Sequence, residues 1–148
     1  LMTGMQQSGI PVPESYRTAA QFIVNRDFLK LFETEKLSIR RLRHLSHEFT
    51  KWNISVSNIQ QLELVASERI YKEMDKIYRD ANTKGDMKRL IFFLETLHNM
   101  NIKPDLWKSQ NLYFYKMIGY KNEKWVFIGD AWRDLFYELG RLLKVRSV

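Results

Sequence analysis

Apolar residues recur every three or four positions along most of this chain, and that spacing limits its fold more than any other feature of the sequence. Side chains spaced in this way share one face of an α-helix, whereas a half-buried strand alternates apolar and polar residues. The sequence has no such alternation and no Asn-Gly or Asp-Gly hairpin turn. The clearest helical run lies near the carboxyl end and holds six large apolar residues: Trp125, Ile128, Trp132, Leu135, Leu139 and Leu142. We therefore predict an all-α fold.

The periodic segments predict a bundle of five to six helices joined by short loops. Pro13 suits the first turn of a helix over 13–33, in which Asn25 is a candidate break. A second helix is predicted from about 35 to 52, and the last helix spans about 122–145. The residues expected to begin or end the helices between them are Ser55 or Ser57, Gly85, Asp86, Pro104 and Gly119.

The length of 148 residues fits a single domain. We expect residues 1–12 to form a flexible N-terminal segment, because they contain two glycines, Pro11 and no apolar period. Residues 13–148 are then expected to form one helical domain. Since the first residue is Leu1 and not methionine, we also expect the chain to be a piece of a longer protein.

The sequence contains no cysteine, which excludes disulfides, thiolate metal sites and thiol nucleophiles. A chain of this kind fits a reducing compartment, so we expect a cytoplasmic protein. No apolar run approaches the ~20 residues that a membrane-spanning helix needs. A membrane is therefore not an expected partner.

The formal net charge is +7, and a basic surface attracts anions such as nucleic acid. However, 17 acidic residues are interspersed with the 24 basic ones along the whole chain. We therefore rank nucleic-acid binding below the other functions that follow.

Candidate catalytic groups are few. His44, His47 and Glu48 occupy neighbouring helical positions and contain metal-ligand side chains, but their spacing differs from that of helical zinc proteases. A solvated polar helix face is the better interpretation. No serine lies in a glycine-flanked elbow, and no glycine-rich phosphate loop precedes a helix. We expect no metal, no cofactor and no complete active site in this chain.

The segment KPDLWKSQNLYFYKMIG, residues 103–119, holds the best candidate binding residues. Trp107 follows a proline turn at a helix start, and Gln110 and Asn111 lie one turn further on. An aromatic ring beside carboxamides suits a sugar, whose C–H face packs on the ring while its hydroxyls bond to the amides. Alternatively, the two amides satisfy backbone groups of a neighbouring loop, because buried amides need partners. We expect Asn111 to bond to such a loop and Gln110 to reach the sugar.

Within this segment, PDLWKSQNLYF resembles a Leu-Trp-x-x-Gln-Asn run followed by aromatic residues in the helical C-terminal regions of glycoside hydrolase family 57-type proteins. GIPVPES, followed by a helix, is similar to a second stretch of those regions. The resemblance implies that the catalytic carboxylates lie in a separate N-terminal barrel, on which the helical region packs to help wall the sugar site. The matching residues are Trp107, Gln110 and Asn111, with Tyr113 following the motif as a further candidate ligand-binding residue.

The resemblance thus implies an accessory helical domain that is not catalytic alone. Its expected partners are the catalytic domain of the same polypeptide and a glycan. Two alternatives stay open. A helical protein-interaction module would show a large exposed apolar groove, and a nucleic-acid-binding domain would show lysines and arginines converging on one face.

Overall fold

A computed structural model describes residues 13–34, 36–80, 83–123 and 129–145 of the chain. These ranges contain six α-helices, namely α1 Glu14–Glu33, α2 Ile39–Lys51, α3 Ile59–Arg79, α4 Lys84–Asn99, α5 Trp107–Glu123 and α6 Asp130–Leu142. No strand occurs in them. The all-α prediction is confirmed. The predicted flexible segment 1–12 lies outside the described residues, as do Trp125 and Ile128.

The chain divides into two compact units, Leu1–Ile59 and Gln60–Val148. The first contains α1 and α2, and the second contains α3 to α6 apart from the first residue of α3. The single domain expected over 13–148 stays a prediction.

In the first unit, α1 continues through the candidate break at Asn25. The Asn25 side chain is buried and donates to the carbonyl oxygens of Gln21 (2.8 Å) and Ser55 (3.0 Å). Its Oδ1 atom accepts from the backbone N–H of Ser57 at 2.8 Å. Asn25 therefore ties the loop after α2 to α1. Because these three hydrogen bonds satisfy the buried Asn25 amide without interrupting the backbone, the helix continues through this residue.

The apolar core of the first unit lies between α1 and α2. Phe28 is 1% exposed, and its ring lies 5.9 Å from that of Phe32 and 6.2 Å from that of Phe49. The α2 helix begins at Ile39, later than predicted, because the Ser38 hydroxyl caps it by accepting from the backbone N–H of Arg41.

In the second unit, the buried faces of the four helices follow the apolar period of the sequence. The deeply buried residues of α3 and α4 are Leu62, Ala66, Ile70, Met74, Ile77, Met87, Leu90, Phe93 and Leu97. Trp132 of α6, expected in the core, is 1% exposed and stacks on Phe136 with ring centroids 4.8 Å apart. Its indole N–H donates to the Thr83 hydroxyl at 3.0 Å.

Three predicted helix boundaries in this unit are wrong. α4 begins at Lys84, so Gly85 lies inside its first turn instead of ending α3, and Asp86 is no N-cap. α5 runs past Gly119 to Glu123. α6 begins only at Asp130, where Gly129 precedes it with a φ of 87° that favours glycine. A single glycine costs a helix only about 1 kcal/mol, which is too little to end α5 at Gly119 or to keep Gly85 out of α4.

Candidate functional site

An open groove of about 480 Å³ in the second unit forms the candidate binding site. One wall is the outer face of α3, and the other is the turn before α5 together with the first turn of α5. The groove is lined by Glu63, Leu64, Ser67, Glu68, Tyr71, Lys72, Lys103, Asp105, Trp107, Lys108 and Ser109. Its volume falls within the range typical of small-molecule sites.

Two side chains of α3 hold the turn before α5 against that helix, and a third side chain, in the turn itself, bonds to the start of α5. The Glu63 carboxylate accepts from the backbone N–H of Lys103 at 2.8 Å. The Ser67 hydroxyl accepts from the backbone N–H of Asp105 at 2.7 Å and donates to the Glu63 carbonyl at 2.6 Å. The Asp105 carboxylate then accepts from the N–H of Trp107 at 3.0 Å. These bonds place Trp107 at the first residue of α5, on the edge of the groove.

The groove presents two aromatic rings to solvent. Trp107 is 66% exposed and Tyr71 is 38% exposed, although both are large enough to contribute strongly to a core. The Lys108 ammonium lies 5.9 Å from the centre of the Tyr71 ring, within cation–π range. Around the rings, lysine ammonium groups and carboxylates supply both donors and acceptors. The arrangement suits a ligand with a flat apolar face and many hydroxyls.

Gln110 does not line this groove. Its side-chain N–H donates to the carbonyl oxygen of Leu143, at the end of α6, at 2.7 Å. Gln110 shares a helix face with Tyr113 and Met117, which are both buried. Gln110 therefore links α5 to the end of α6. A hydrogen bond from a side chain to the backbone of a neighbouring segment is the contact that we expected of Asn111.

Asn111 is exposed and lies outside the lining of the groove. Trp107, Phe114 and Ile118, which share its helix face, are 66%, 42% and 41% exposed. The backbone contact expected of Asn111 is thus made by Gln110, and a role for either amide in ligand binding stays a prediction. Periodicity showed that the two amides lie on different faces, but it did not show which face meets α6.

Tyr113, the fourth candidate, is a core residue that is 2% exposed. Its hydroxyl donates to the Phe136 carbonyl at 2.8 Å, and its ring stacks on that of Phe136 at 4.2 Å. Burial, with a smaller effect of Tyr137, raises the pKa of Tyr113 well above its usual value. Of the four predicted site residues, only Trp107 lies in the groove.

The sequence-based prediction missed the α3 wall of the groove. Leu64 and Tyr71 lie two helical turns apart and are 62% and 38% exposed, on the side opposite the core stripe. Two large apolar residues on the polar side of an amphipathic helix are a signal that the sequence contains. Pairing that signal with Trp107 required the tertiary structure.

Lys116 on α5 is a charged residue that is only 6% exposed. Its ammonium donates to the carbonyl oxygens of Ile77, Tyr78 and Asp80, the last two at 3.3 and 3.0 Å. Burial lowers the pKa of Lys116 to about 8, and the Asp80 carboxylate opposes that change. The contacts satisfy carbonyls at the end of α3, so Lys116 fastens α5 to α3.

His44 and His47 are both exposed on α2. In the described ranges, no group of three or more His, Cys, Asp or Glu residues is placed to hold a metal ion. None of the helices described has the length and apolar character needed to cross a membrane.

Neither the profiles of known protein families, nor curated proteins, nor solved structures match this chain. The resemblance to family 57-type helical regions is therefore neither supported nor contradicted by these comparisons. A glycan-binding site proposed for the chain rests on the geometry of its own residues, and a family proposed for it rests on the sequence resemblance alone.

Proposed function

We propose that this chain is an accessory helical domain of a carbohydrate-active enzyme of the glycoside hydrolase family 57 type, and that its groove beside Trp107 binds a glycan. The catalytic carboxylates would belong to a separate domain of the same polypeptide. A cytoplasmic location is part of the proposal, and a chain without cysteine fits it.

The observation that carries the proposal is the exposure of Trp107 at the edge of a groove lined with polar groups. Solvating a two-thirds exposed indole is unfavourable, because apolar area in contact with water costs about 25 cal/mol per Å². A sugar ring packed on the indole would cover that area. Its hydroxyls would meet the ammonium groups of Lys72 and Lys108 and the Glu68 carboxylate, which line the same groove.

A second observation favours a protein contact beside the glycan site. Phe114, Tyr115 and Ile118 of α5 are 42%, 61% and 41% exposed. Three large apolar side chains within five residues form a patch of the kind that marks interaction surfaces. In the proposed enzyme, this patch would contact the catalytic domain. The same patch would serve the alternative function, a helical protein-interaction module.

The proposal is tested by measuring the affinity of the full-length protein for neutral oligosaccharides by calorimetry, together with its melting temperature. Trp107→Ala should weaken binding about tenfold, which corresponds to ~1.4 kcal/mol. The melting temperature should barely change, because most of the Trp107 side chain is already in water.

Two variants serve as controls. Phe22→Ala removes an aromatic residue of α1 that is 67% exposed and lies outside both the groove and the apolar patch, and it should leave glycan affinity unchanged. Gln110→Ala should lower stability by about 1 kcal/mol, since the Leu143 carbonyl loses its donor, and it should also leave affinity unchanged. Equal glycan affinity in wild type and Trp107→Ala would contradict the proposed site.

A further inference from the structure

A second open groove, of about 570 Å³, lies in the first unit and plays no part in the proposed glycan site. It runs between α1 and α2. Its apolar residues are Ile23, Val24 and Leu45, and its charged or titratable residues are Asp27, Arg40, Arg41, His44 and Glu48. Val24 and Leu45 are buried and form the floor, while Arg40, Arg41 and His44 are exposed at the rim.

The two arginines at the rim of this groove are exposed and have no ion-pair partner among the described residues. In the described part of the chain, no carboxylate lies within ion-pair distance of Arg40 or Arg41. The first turn of α2, which contains both arginines, has no acidic residue. Arg40 and His44 lie one turn apart and so share a helix face. Three donor side chains are therefore available at one rim.

The two carboxylates of the groove are held by other partners. Asp27 lies 3.9 Å from the Nε atom of Arg26, outside the groove. The Glu48 carboxylate accepts from the indole N–H of Trp52 at 2.5 Å. Because each carboxylate has a second oxygen, both still offer acceptors to a ligand. The groove thus combines cationic hydrogen-bond donors that can bind an anion, carboxylates that can accept hydrogen bonds from ligand hydroxyls, and an apolar floor.

We propose that this groove binds a phosphorylated sugar. The planar guanidinium groups of Arg40 and Arg41 match the geometry of phosphate oxygens, and charge-assisted hydrogen bonds of this type are about twice as strong as neutral ones. Asp27 and Glu48 accept hydrogen bonds from the sugar hydroxyls. The floor formed by Val24 and Leu45 contacts the C–H face of the ring.

The mixed charge of the groove distinguishes this ligand from a nucleic-acid strand. A strand carries a phosphate at every nucleotide, so some phosphates would be forced against Asp27 or Glu48. A ligand with one phosphate and several hydroxyls places its charge at the arginines alone. The groove volume also suits a small molecule.

The proposal is tested by titrating the whole chain with glucose 6-phosphate, inorganic phosphate, glucose and a single-stranded oligonucleotide at physiological salt. Calorimetry or chemical-shift changes give each affinity. Glucose 6-phosphate should bind about tenfold more tightly than inorganic phosphate, since only the ester reaches both ends of the groove. Glucose alone should not bind at this groove.

Substitution then locates the site. Arg40→Gln and Arg41→Gln should each weaken binding of glucose 6-phosphate about tenfold, because each removes a charge-assisted pair of hydrogen bonds. Arg17→Gln, an exposed arginine of α1 outside the groove, is the matched control for lost net charge and should change nothing.

Four results would overturn the proposal. They are no saturable binding of the ester, an ester affinity equal to that of inorganic phosphate, an equal loss in Arg17→Gln, and tighter binding of the oligonucleotide than of the ester. The last result would assign the groove to nucleic acid. The glycan groove lies on other residues, so failure here leaves the proposed function standing.

Discussion

At the scale of single residues, buried and half-buried polar side chains decide which faces of the helices meet. Asn25 ties a loop to α1, Gln110 ties α5 to the end of α6, and Lys116 ties α5 to the end of α3. Each satisfies backbone groups that would otherwise be buried without partners, at a cost of about 1–3 kcal/mol per group. Such bonds fix the contact geometry more narrowly than apolar packing, which tolerates sliding.

Tyr113 should make stability depend on pH above about 10. Its folded-state pKa lies well above the unfolded value of about 10. Below pH 10 both states keep the proton, and the stabilisation by the phenol is complete. Above pH 10 only the unfolded state releases the proton, so the free energy of unfolding should fall by about 1.4 kcal/mol per pH unit from this group.

Tyr113→Phe removes this dependence. At pH 8 the variant should be less stable than wild type by about 1 kcal/mol, because the Phe136 carbonyl loses its donor. By pH 11 the difference should vanish or change sign. Urea unfolding of wild type and Tyr113→Phe between pH 8 and 11 measures this difference in the free energy of unfolding. Tyr115→Phe, at an exposed tyrosine, is the control. A difference that stays constant over this range would contradict the explanation.

At the scale of the helix, the ends of three helices share one geometry that uses no glycine. Asn53, Asn101 and Lys144 follow α2, α4 and α6 and have φ of 50°, 58° and 62°. The next residue then donates its N–H five positions back, as Ile54 does to Phe49 at 3.0 Å. This is the Schellman arrangement, and Ile54 and Ile102 are buried behind it. Burial of Ile54 and Ile102 thus offsets the conformational cost of the left-handed backbone at the residue before each of them.

The position of the Tyr113 side chain against α6 depends on Gly140. A Cβ atom at Gly140 would overlap the Tyr113 hydroxyl oxygen and lie 2.5 Å from the Tyr113 Cζ atom. Tyr113 is stacked and hydrogen-bonded, so it cannot move aside without losing those contacts. Gly140→Ala should therefore lower the free energy of unfolding by about 1–3 kcal/mol, as overpacked cores do.

Gly119→Ala is the matched substitution in an open position. Gly119 lies within α5, and a methyl group added there would have no atom within 4 Å. Alanine favours a helix over glycine by about 1 kcal/mol. The melting temperature of Gly119→Ala should therefore rise while that of Gly140→Ala falls. Thermal unfolding of both variants decides the point, and a shift in the same direction for both would refute the steric explanation.

At the scale of the whole molecule, the described helices form two compact units, and each contains buried apolar side chains. The second unit buries side chains from all four of its helices, while the first has two helices around Phe28. The excess of 24 basic over 17 acidic residues is spread along the chain, so charge does not single out either unit. Weak, salt-sensitive nucleic-acid binding is the behaviour expected of such dispersed charge.

The second unit should fold by itself. A chain of residues 58–148 keeps four helices and their shared core, and its length is well above the ~40 residues below which domains need further support. It should show a helical circular dichroism spectrum and cooperative thermal unfolding. Residues 13–58 alone, with two helices, should show no cooperative transition. Loss of cooperative unfolding in the longer fragment would show that its core is incomplete.

The sequence by itself determined the helices and most of the core. Ile70, Met74 and Leu90 belong to apolar stripes with helical spacing, and all three are buried, because a helix turns by a constant angle per residue and a continuous apolar face can be buried. The same period predicted the burial of Trp132. Trp107 was predicted as a site residue because a helix start after a proline turn is a local feature. All of these inferences need only neighbours in the sequence.

The tertiary structure alone decided the roles of the polar residues and the limits of several helices. Gln110 and Asn111 are adjacent amides, and nothing local distinguishes them until α6 places the Leu143 carbonyl beside one of them. Tyr71 joins Trp107 at one groove only because the turn before α5 is held against α3. A hydrogen bond across more than thirty residues depends on where two backbones meet. That position follows from the packing of all the helices in the unit, which no single segment specifies.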